Sequence, residues 1–190
     1  MTSTLTRYFL DPTDSVLLIV DAQDRLLQAF SEDSRVKIIK NARILAQSAQ
    51  IMDVPIIVTE QYPAGLGHTV SELLEVLPAG QKVHEKLDFS CYRSTGFSSI
   101  LSDFGRKSII LLGVEAHICV LQTAIDLVNA GYLIHVAADA VGSRTNSNCE
   151  VGLSMMRDNQ TVISSTETIV FQWLKRAGSD AFKKISRLVR

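Results

Sequence analysis

The stretch SIILLGVEAHICVLQTAIDLVNAG, residues 108–131, decides the fold. Its first seven residues form an unbroken apolar run of strand length. From residue 117 to residue 130 the apolar side chains recur at helical spacing, and Gly131 follows where a helix favours a left-handed cap. A buried strand that leads directly into a helix is typical of a parallel sheet covered by helices.

The same alternation continues on both sides of this stretch. We predict strands over residues 15–21, 54–60, 81–86, 108–114, 132–141 and 161–164. We predict helices over residues 35–52, 67–77, 96–104, 117–130, 148–158 and 167–174, followed by an amphipathic helix in the basic tail. This order predicts an α/β three-layer sandwich, in which a doubly wound, mostly parallel sheet of about six strands carries helices on both faces.

Composition and charge narrow the function classes. The 190 residues are 46% hydrophobic and 21% charged, as expected for one ordinary globular domain over 1–190. A net charge of -1 argues against nucleic-acid or anionic-membrane partners. The first 15 residues lack a signal-peptide pattern, and no apolar run is long enough to span a bilayer. Three widely spaced cysteines form no disulfide or zinc pattern, which favours a cytoplasmic location.

Chemically active side chains follow several strands at their carboxyl ends, where ligands bind in open α/β sheets. Asp21 ends the first strand, Lys86 ends the third, and Cys119 follows the fourth. Cys119 would lie in the first turn of its helix, where free amide groups and the helix dipole favour a thiolate. Asp21 is placed to accept the thiol proton, and Lys86 to stabilise negative charge.

Taken singly, each of these residues has an ordinary structural explanation. Cys119 fits an inert buried thiol, Asp21 a helix cap, and Lys86 a solvated ammonium. The prediction of a catalytic site rests on the arrival of all three at one edge of the sheet.

Five segments, in order, carry a resemblance to a known superfamily: LLIVDAQDRL, VPIIVTEQYPAGLG, HEKLDFSCY, LLGVEAHICVLQTAIDL and IHVAADAVGSR. They resemble the isochorismatase-like cysteine hydrolases, over nearly the whole chain. The G-V-E-A-x-x-C block is the most specific of these motifs, and D-A-Q is the next. The T-E-Q-Y-P-x-G-L-G stretch is most similar to the small isochorismatase domain-containing proteins.

The resemblance implies roles for particular residues. The Asp-Lys-Cys triad of the family falls on Asp21, Lys86 and Cys119. A non-proline cis peptide would join Val114 to Glu115 and direct the Glu115 amide, beside the Cys119 amide, into an oxyanion hole. Members of the family cleave amide, carbamoyl or related C–N bonds through a thioester. The resemblance also implies a homo-oligomer, for which the apolar helix containing Trp173 is a candidate contact surface, although burial in the core explains that helix equally well.

The chain departs from the metal-binding nicotinamidases of this superfamily. The D-x-H pair that follows their second strand is absent, since Glu60 here precedes Gln61 and Tyr62. We therefore expect no metal and no cofactor, although His68 and Glu60 remain a possible ligand pair. No glycine-rich loop follows the first strand, which argues against dinucleotide binding.

Four further residues lie next to the proposed triad in sequence and are candidates for the substrate pocket. They are Tyr62, Phe89, Tyr92 and His117, and burial in the core or an interface is the alternative explanation for them. We expect the Glu115 side chain to point away from the oxyanion hole, into a salt bridge with Arg144 or Arg93. Cys91 and Cys149 are interpreted as incidental.

The sequence therefore favours a hydrolase of a small amide-like molecule whose identity it does not specify. Two other hypotheses stay open. One is a catalytically silent oligomeric scaffold or interaction protein. The other is a thiol redox sensor centred on Cys119, for which Cys91 would have to lie close in space as a resolving cysteine.

Overall fold

Six parallel strands form one sheet in the order β3-β2-β1-β4-β5-β6. The structure is a computed structural model that describes residues 6–190. Residues 1–5, which belong to the segment without a signal-peptide pattern, lie outside the described residues. The strands are β1 (Ser15–Val20), β2 (Ile56–Gln61), β3 (Val83–Lys86), β4 (Ser108–Val114), β5 (Leu133–Gly142) and β6 (Val162–Ser164).

Helices cover both faces of the sheet. They are α1 (Asp24–Leu27), α2 (Glu32–Ile51), α3 (Pro63–Leu66), α4 (Ser71–Leu74), α5 (Phe97–Asp103), α6 (Leu121–Asn129), α7 (Asn146–Asp158), α8 (Thr166–Leu174) and α9 (Asp180–Leu188). A π-helical turn, Ala116–Val120, precedes α6, and a 3-10 turn, Cys91–Arg93, precedes α5. Among the described residues, no helix combines the length and the apolar character needed to cross a membrane.

Two apolar clusters hold the layers together, because successive strand residues point to opposite faces. Leu17 and Ile19 of β1 pack into the cluster under α2, α8 and α9. Leu18 and Val20 pack into the cluster under α5, α6 and α7. Burial on both faces explains why β1 is apolar without interruption.

The predicted α/β sandwich is confirmed, with one strand in each of the six predicted segments. The prediction of a helix over residues 67–77 was too long, since α4 covers only Ser71–Leu74. The four-residue helices α1 and α3 were not predicted, because one turn shows no helical periodicity. Trp173 itself is buried in the core and donates a 3.1 Å hydrogen bond from Nε1 to Ser15 Oγ, whereas Phe171 of the same helix is 39% exposed.

The strands follow one another outward in two directions, β1, β2 and β3 toward one edge of the sheet and β4, β5 and β6 toward the other. The order reverses between β1 and β4. In doubly wound folds this reversal opens a crevice at the carboxyl ends of the two strands. The residues that leave β1 and β4 here are Asp21 and the segment that carries Cys119. The topology therefore places the site between them.

Candidate active site

Asp21 lies at the end of β1 with its carboxylate completely buried. Its backbone is left-handed, with φ of 50°, which asparagine and aspartate tolerate better than most residues. Both carboxylate oxygens have donors, since Thr59 Oγ1 lies 2.7 Å from Oδ1 and Lys86 Nζ lies 2.7 Å from Oδ2. The carboxylate is thus fixed from two sides.

Lys86, the last residue of β3, has a side chain with no solvent exposure. Its Nζ lies within hydrogen-bond distance of Asp21 Oδ2, Gln61 Oε1 and the carbonyl oxygens of Asp88 and Phe89. Burial alone would lower the pKa of Lys86, but Asp21 and the nearby cysteines raise it above its usual value. The ammonium therefore stays charged within a closed shell of acceptors.

Cys119 lies in the π-helical turn and is 5% exposed. Burial raises the pKa of the Cys119 thiol, the Asp21 carboxylate raises it further, and Lys86 opposes both. The expectation that the helix terminus favours a thiolate is therefore not met, because burial and the neighbouring carboxylate raise the pKa of the thiol. Both effects favour the neutral thiol.

Glu115 connects the strand before Cys119 to the loop after β5. The peptide bond between Val114 and Glu115 is cis. The buried Glu115 carboxylate pairs with Arg144, at 2.6 Å between Oε1 and Nε, which confirms the predicted salt bridge. His117 Nδ1 lies 2.8 Å from Ser143 Oγ and 3.4 Å from Glu115 Oε2. The Glu115 side chain is therefore anchored to this loop.

Cys91 is the residue that sequence reasoning placed least well. It is completely buried, and its Sγ lies 3.7 Å from Thr59 Oγ1, which in turn contacts Asp21. Cys91, which was interpreted as incidental, therefore lies within the candidate site, one residue away from Asp21 in this chain of contacts. Cys149, in contrast, is half-buried in α7.

Three polar residues of the site, Gln23, Thr59 and Gln61, were missed by the sequence analysis. Gln23 Nε2 donates to the carbonyl oxygens of Gln61 and Gly67, while its Oε1 accepts from the Gln61 amide at 2.7 Å. The alternation of side chains along β2, with its period of two residues, could have indicated Thr59 and Gln61. It places Thr59 and Gln61 on one face and Glu60 on the other.

Glu60 occupies that other face and does not contact the Asp21–Lys86 pair. Its carboxylate accepts hydrogen bonds from the Thr69 amide and hydroxyl, and lies 2.9 Å from His68 Nδ1. Within residues 6–190, no group of three or more histidine, cysteine or acidic side chains is arranged to hold a metal ion. Glu60 and His68 form a hydrogen-bonded pair that fastens the loop before α4.

A cleft of about 720 Å³ lies beside β3, next to Lys86. Tyr62, 53% exposed, is one of its walls, and Glu85 and Asp88 add acidic groups. Phe89 is 54% exposed and does not line this cleft. Tyr92 packs edge-on against Tyr132, with ring centroids 6.5 Å apart, at the border of a core cluster.

The arrangement combines a nucleophilic atom, a proton acceptor and a fixed positive charge in one buried group. A thiol near a carboxylate can lose its proton at the moment when sulfur attacks an electrophilic carbon. The ion pair keeps that carboxylate in place without neutralising it. Groups of this kind can support covalent catalysis by a cysteine.

Comparison with known proteins identifies the family of this chain. The isochorismatase domain family matches residues 15–168. The zebrafish (Danio rerio) isochorismatase domain-containing protein 2 is 37% identical over 92% of this chain and 86% of its own length. The secreted isochorismatase effector Isc1 of Phytophthora sojae is 36% identical over 94% of this chain and 86% of its own length.

A solved structure gives the same result at the level of the fold. The MAR1 ribonuclease of Caenorhabditis elegans is 32% identical, with a TM-score of 0.88 over 95% of this chain and 92% of that one. A family match over most of the chain and relatives above 30% identity agree. The chain belongs to the isochorismatase family.

Proposed function

We propose that this protein is a cysteine hydrolase that cleaves a C–N bond of a small amide or carbamoyl compound through a thioester on Cys119. Membership of the isochorismatase family supports a hydrolase function. The observation that carries the proposal is the buried 2.7 Å pair of Asp21 and Lys86, whose carboxylate lies near enough to the buried Cys119 thiol to raise its pKa.

The first half of the reaction forms the thioester. Asp21 accepts the Cys119 proton as sulfur bonds to the carbonyl carbon, and the carbonyl oxygen becomes an oxyanion. The amides of Glu115 and Cys119 are the proposed donors to that oxygen. The C–N bond then breaks, and the proton on Asp21 passes to the leaving nitrogen, which departs as a neutral amine.

The second half returns the protein to its starting state. Asp21 takes a proton from water, and the water oxygen attacks the thioester carbonyl. The C–S bond breaks, a carboxylic or carbamic acid leaves, and the Cys119 sulfur recovers its proton from Asp21. Lys86 keeps its proton throughout, and its charge holds Asp21 in position.

The cleft beside Lys86 favours a small molecule over a nucleic acid. Glu85 and Asp88 stand beside Lys86 and His68 in its lining, so the cleft is not a basic surface that would attract a phosphate backbone. Tyr62, Phe89, Tyr92 and His117 are our proposed substrate contacts, of which Tyr62 already forms a wall of that cleft. The similar structures described as MAR1 ribonucleases, among them that of Caenorhabditis elegans, make RNA a necessary comparison in the test.

The test exposes the protein to small primary amides and N-carbamoyl compounds, and measures released ammonia or amine together with the mass of the intact protein. We expect an acyl adduct on Cys119 that hydroxylamine discharges, and no adduct in Cys119→Ala or Asp21→Asn. Cys149→Ala, which removes a thiol from α7, is the matched control and should behave as wild type. Absence of any adduct would favour a silent scaffold, and RNA cleavage that survives Cys119→Ala would contradict the proposal.

A peroxide arm of the same experiment tests the redox alternative. All three cysteines lie within the described residues, and none is in a disulfide. Under the proposed function, peroxide inactivates by oxidising Cys119 without a defined partner. A disulfide between Cys119 and Cys91 that forms quantitatively and reverses with thiol would favour the sensor.

We also propose a cytoplasmic location and assembly into a homo-oligomer. Free thiols suit a reducing compartment. Leu87, which lines the cleft, and Phe89 are 74% and 54% exposed, and we propose that a second copy covers these apolar side chains. Sedimentation velocity should show a dimer or larger species, which Leu87→Glu should weaken, and a monomeric wild type would refute the assembly.

A further inference from the structure

Thr59 contacts the proposed base directly. Its Oγ1 lies 2.7 Å from Asp21 Oδ1, and both residues are completely buried. An ionised carboxylate has no proton to give, so the Thr59 hydroxyl must be the donor in this contact. The backbones of the two residues are also joined, because the Asp21 amide donates to the Thr59 carbonyl at 3.2 Å.

Because the Thr59 hydroxyl donates its proton to Asp21, it can only accept a hydrogen bond in its second contact. Cys91 Sγ lies 3.7 Å from Thr59 Oγ1, so the Cys91 thiol is the donor there. Burial raises the pKa of Cys91 to about 11, and a thiol of this kind keeps its proton at neutral pH. The Cys91 amide donates to Thr123 Oγ1 of α6 at 2.9 Å, which holds Cys91 in place.

We infer that Thr59 is a positioning residue for the proposed reaction: the Cys91 thiol orients its hydroxyl, which donates to Asp21 Oδ1 and keeps that carboxylate ionised and aligned with Cys119. The inference rests on the proposed function of Cys119 and Asp21. Lys86 restrains one carboxylate oxygen and Thr59 the other, so the carboxylate cannot rotate away from the thiol.

A donor to the ionised form also changes how tightly the transferred proton is held. Hydrogen bonds to a carboxylate favour its charged state. The proton that Asp21 takes from Cys119 is then released readily to the leaving nitrogen. Loss of the Thr59 hydroxyl should therefore change the pH dependence of Cys119 reactivity, which is the property that an experiment can measure.

Few other ionisable groups face this contact, so the measurement can be interpreted. Lys86 approaches from β3, Cys119 from the π-helical turn and Cys91 from the 3-10 turn. His84 lies opposite Thr59 in the register of β2 and β3, with its Nε2 bonded to Ser94 Oγ at 2.9 Å. Burial lowers the pKa of His84, and Lys86 lowers it further.

The test follows the rate at which iodoacetamide alkylates Cys119 across acidic, neutral and alkaline pH, with the modified peptide identified by mass spectrometry. Reactivity should fall on the acid side, and the pH at which half of it is lost is the acid midpoint. Thr59→Val keeps the shape of the side chain and removes the donor, so the acid midpoint should move upward by about one pH unit. Thr59→Ser, which restores the hydroxyl, should return it to the wild-type position.

Cys91 supplies an independent pair of variants. Cys91→Ala removes the donor to Thr59 and should shift the acid midpoint upward by a smaller amount, whereas Cys91→Ser should keep it. A uniform loss of rate at every pH in Thr59→Val would overturn the inference, because a packing defect does not move a midpoint. If Thr59→Val fails to fold, identical midpoints in the two Cys91 variants overturn it instead.

Asp21→Asn separates failure of this inference from failure of the proposed function. If Asp21→Asn retains the wild-type acid midpoint, Asp21 is not the base. The proposed function and the role of Thr59 are then both wrong. If Asp21→Asn abolishes the acid transition while Thr59→Val leaves it unmoved, only the role of Thr59 is wrong.

Discussion

Lys86 Nζ lies 2.7 Å from Asp21 Oδ2, and neither side chain is exposed to solvent. A buried ion pair forfeits the hydration of both charges, and its attraction repays this only when further hydrogen bonds satisfy the remaining atoms. Here Gln61 and two backbone carbonyls complete the shell of the ammonium, and Thr59 completes that of the carboxylate. The pair is thus a structural element of the sheet edge as well as part of the proposed site.

Removal of one partner should therefore destabilise the protein strongly. Lys86→Met leaves Asp21 as an uncompensated buried charge, and we expect a loss of about 3–5 kcal/mol in the free energy of unfolding. Urea titration followed by circular dichroism measures this loss.

Two companion variants make the result specific. Lys82→Met changes an exposed lysine of the same region and should cost little. The double variant Lys86→Met with Asp21→Asn removes both charges and should recover much of the loss. A double variant as unstable as the sum of its parts would show that the pair is not coupled.

The sheet was the most predictable part of this protein. Strands buried on both faces, such as β1 and β4, are continuous apolar runs that helices rarely produce at this length. The one-turn helices α1 and α3 and the π-helical turn before α6 could not be predicted, because one turn carries too few residues to show a period.

The position of the candidate site was predictable, but the residues that support it were not. Asp21, Lys86 and Cys119 follow from the rule that parallel strands deliver their carboxyl ends to one edge. Cys91 reaches the same point from a 3-10 turn, through a loop whose path no local pattern encodes. The protonated state of Cys119 also depends on burial, which a sequence does not report.

Gly113 should be indispensable to the contact between β1 and β4. Its φ is +113°, and a Cβ at this position would fall on the carbonyl of Val20. We expect Gly113→Ala to cost several kcal/mol, well above the roughly 1–2 kcal/mol of a positive φ alone. Gly131→Ala is the matched control, because its φ is +89° and a Cβ there meets open space. Equal losses in thermal unfolding would show that the collision is relieved by a small shift.

Arg144 should stabilise the protein through Glu115. Glu115 is 4% exposed and Arg144 Nε lies 2.6 Å from its carboxylate, so Arg144→Ala leaves a buried charge beside His117. We expect a loss of about 1–3 kcal/mol, which Glu115→Gln in the same chain should partly restore. Arg157→Ala, on an exposed side chain of α7, should be close to neutral. Indistinguishable stabilities of the two arginine variants would contradict a structural role for the pair.

His68 should give the stability of the protein a component that depends on pH. Its hydrogen bond to Glu60 and the charge of that carboxylate raise the pKa of His68 above its usual value. A raised pKa in the folded state means that the contribution is complete below the unfolded value of about 6.5 and is lost as pH rises through the higher folded value. The melting temperature should therefore fall across this window in wild type and lose this part of its slope in His68→Gln. Nuclear magnetic resonance titration of the His68 ring checks the cause directly, and a midpoint at or below 6.5 would refute it.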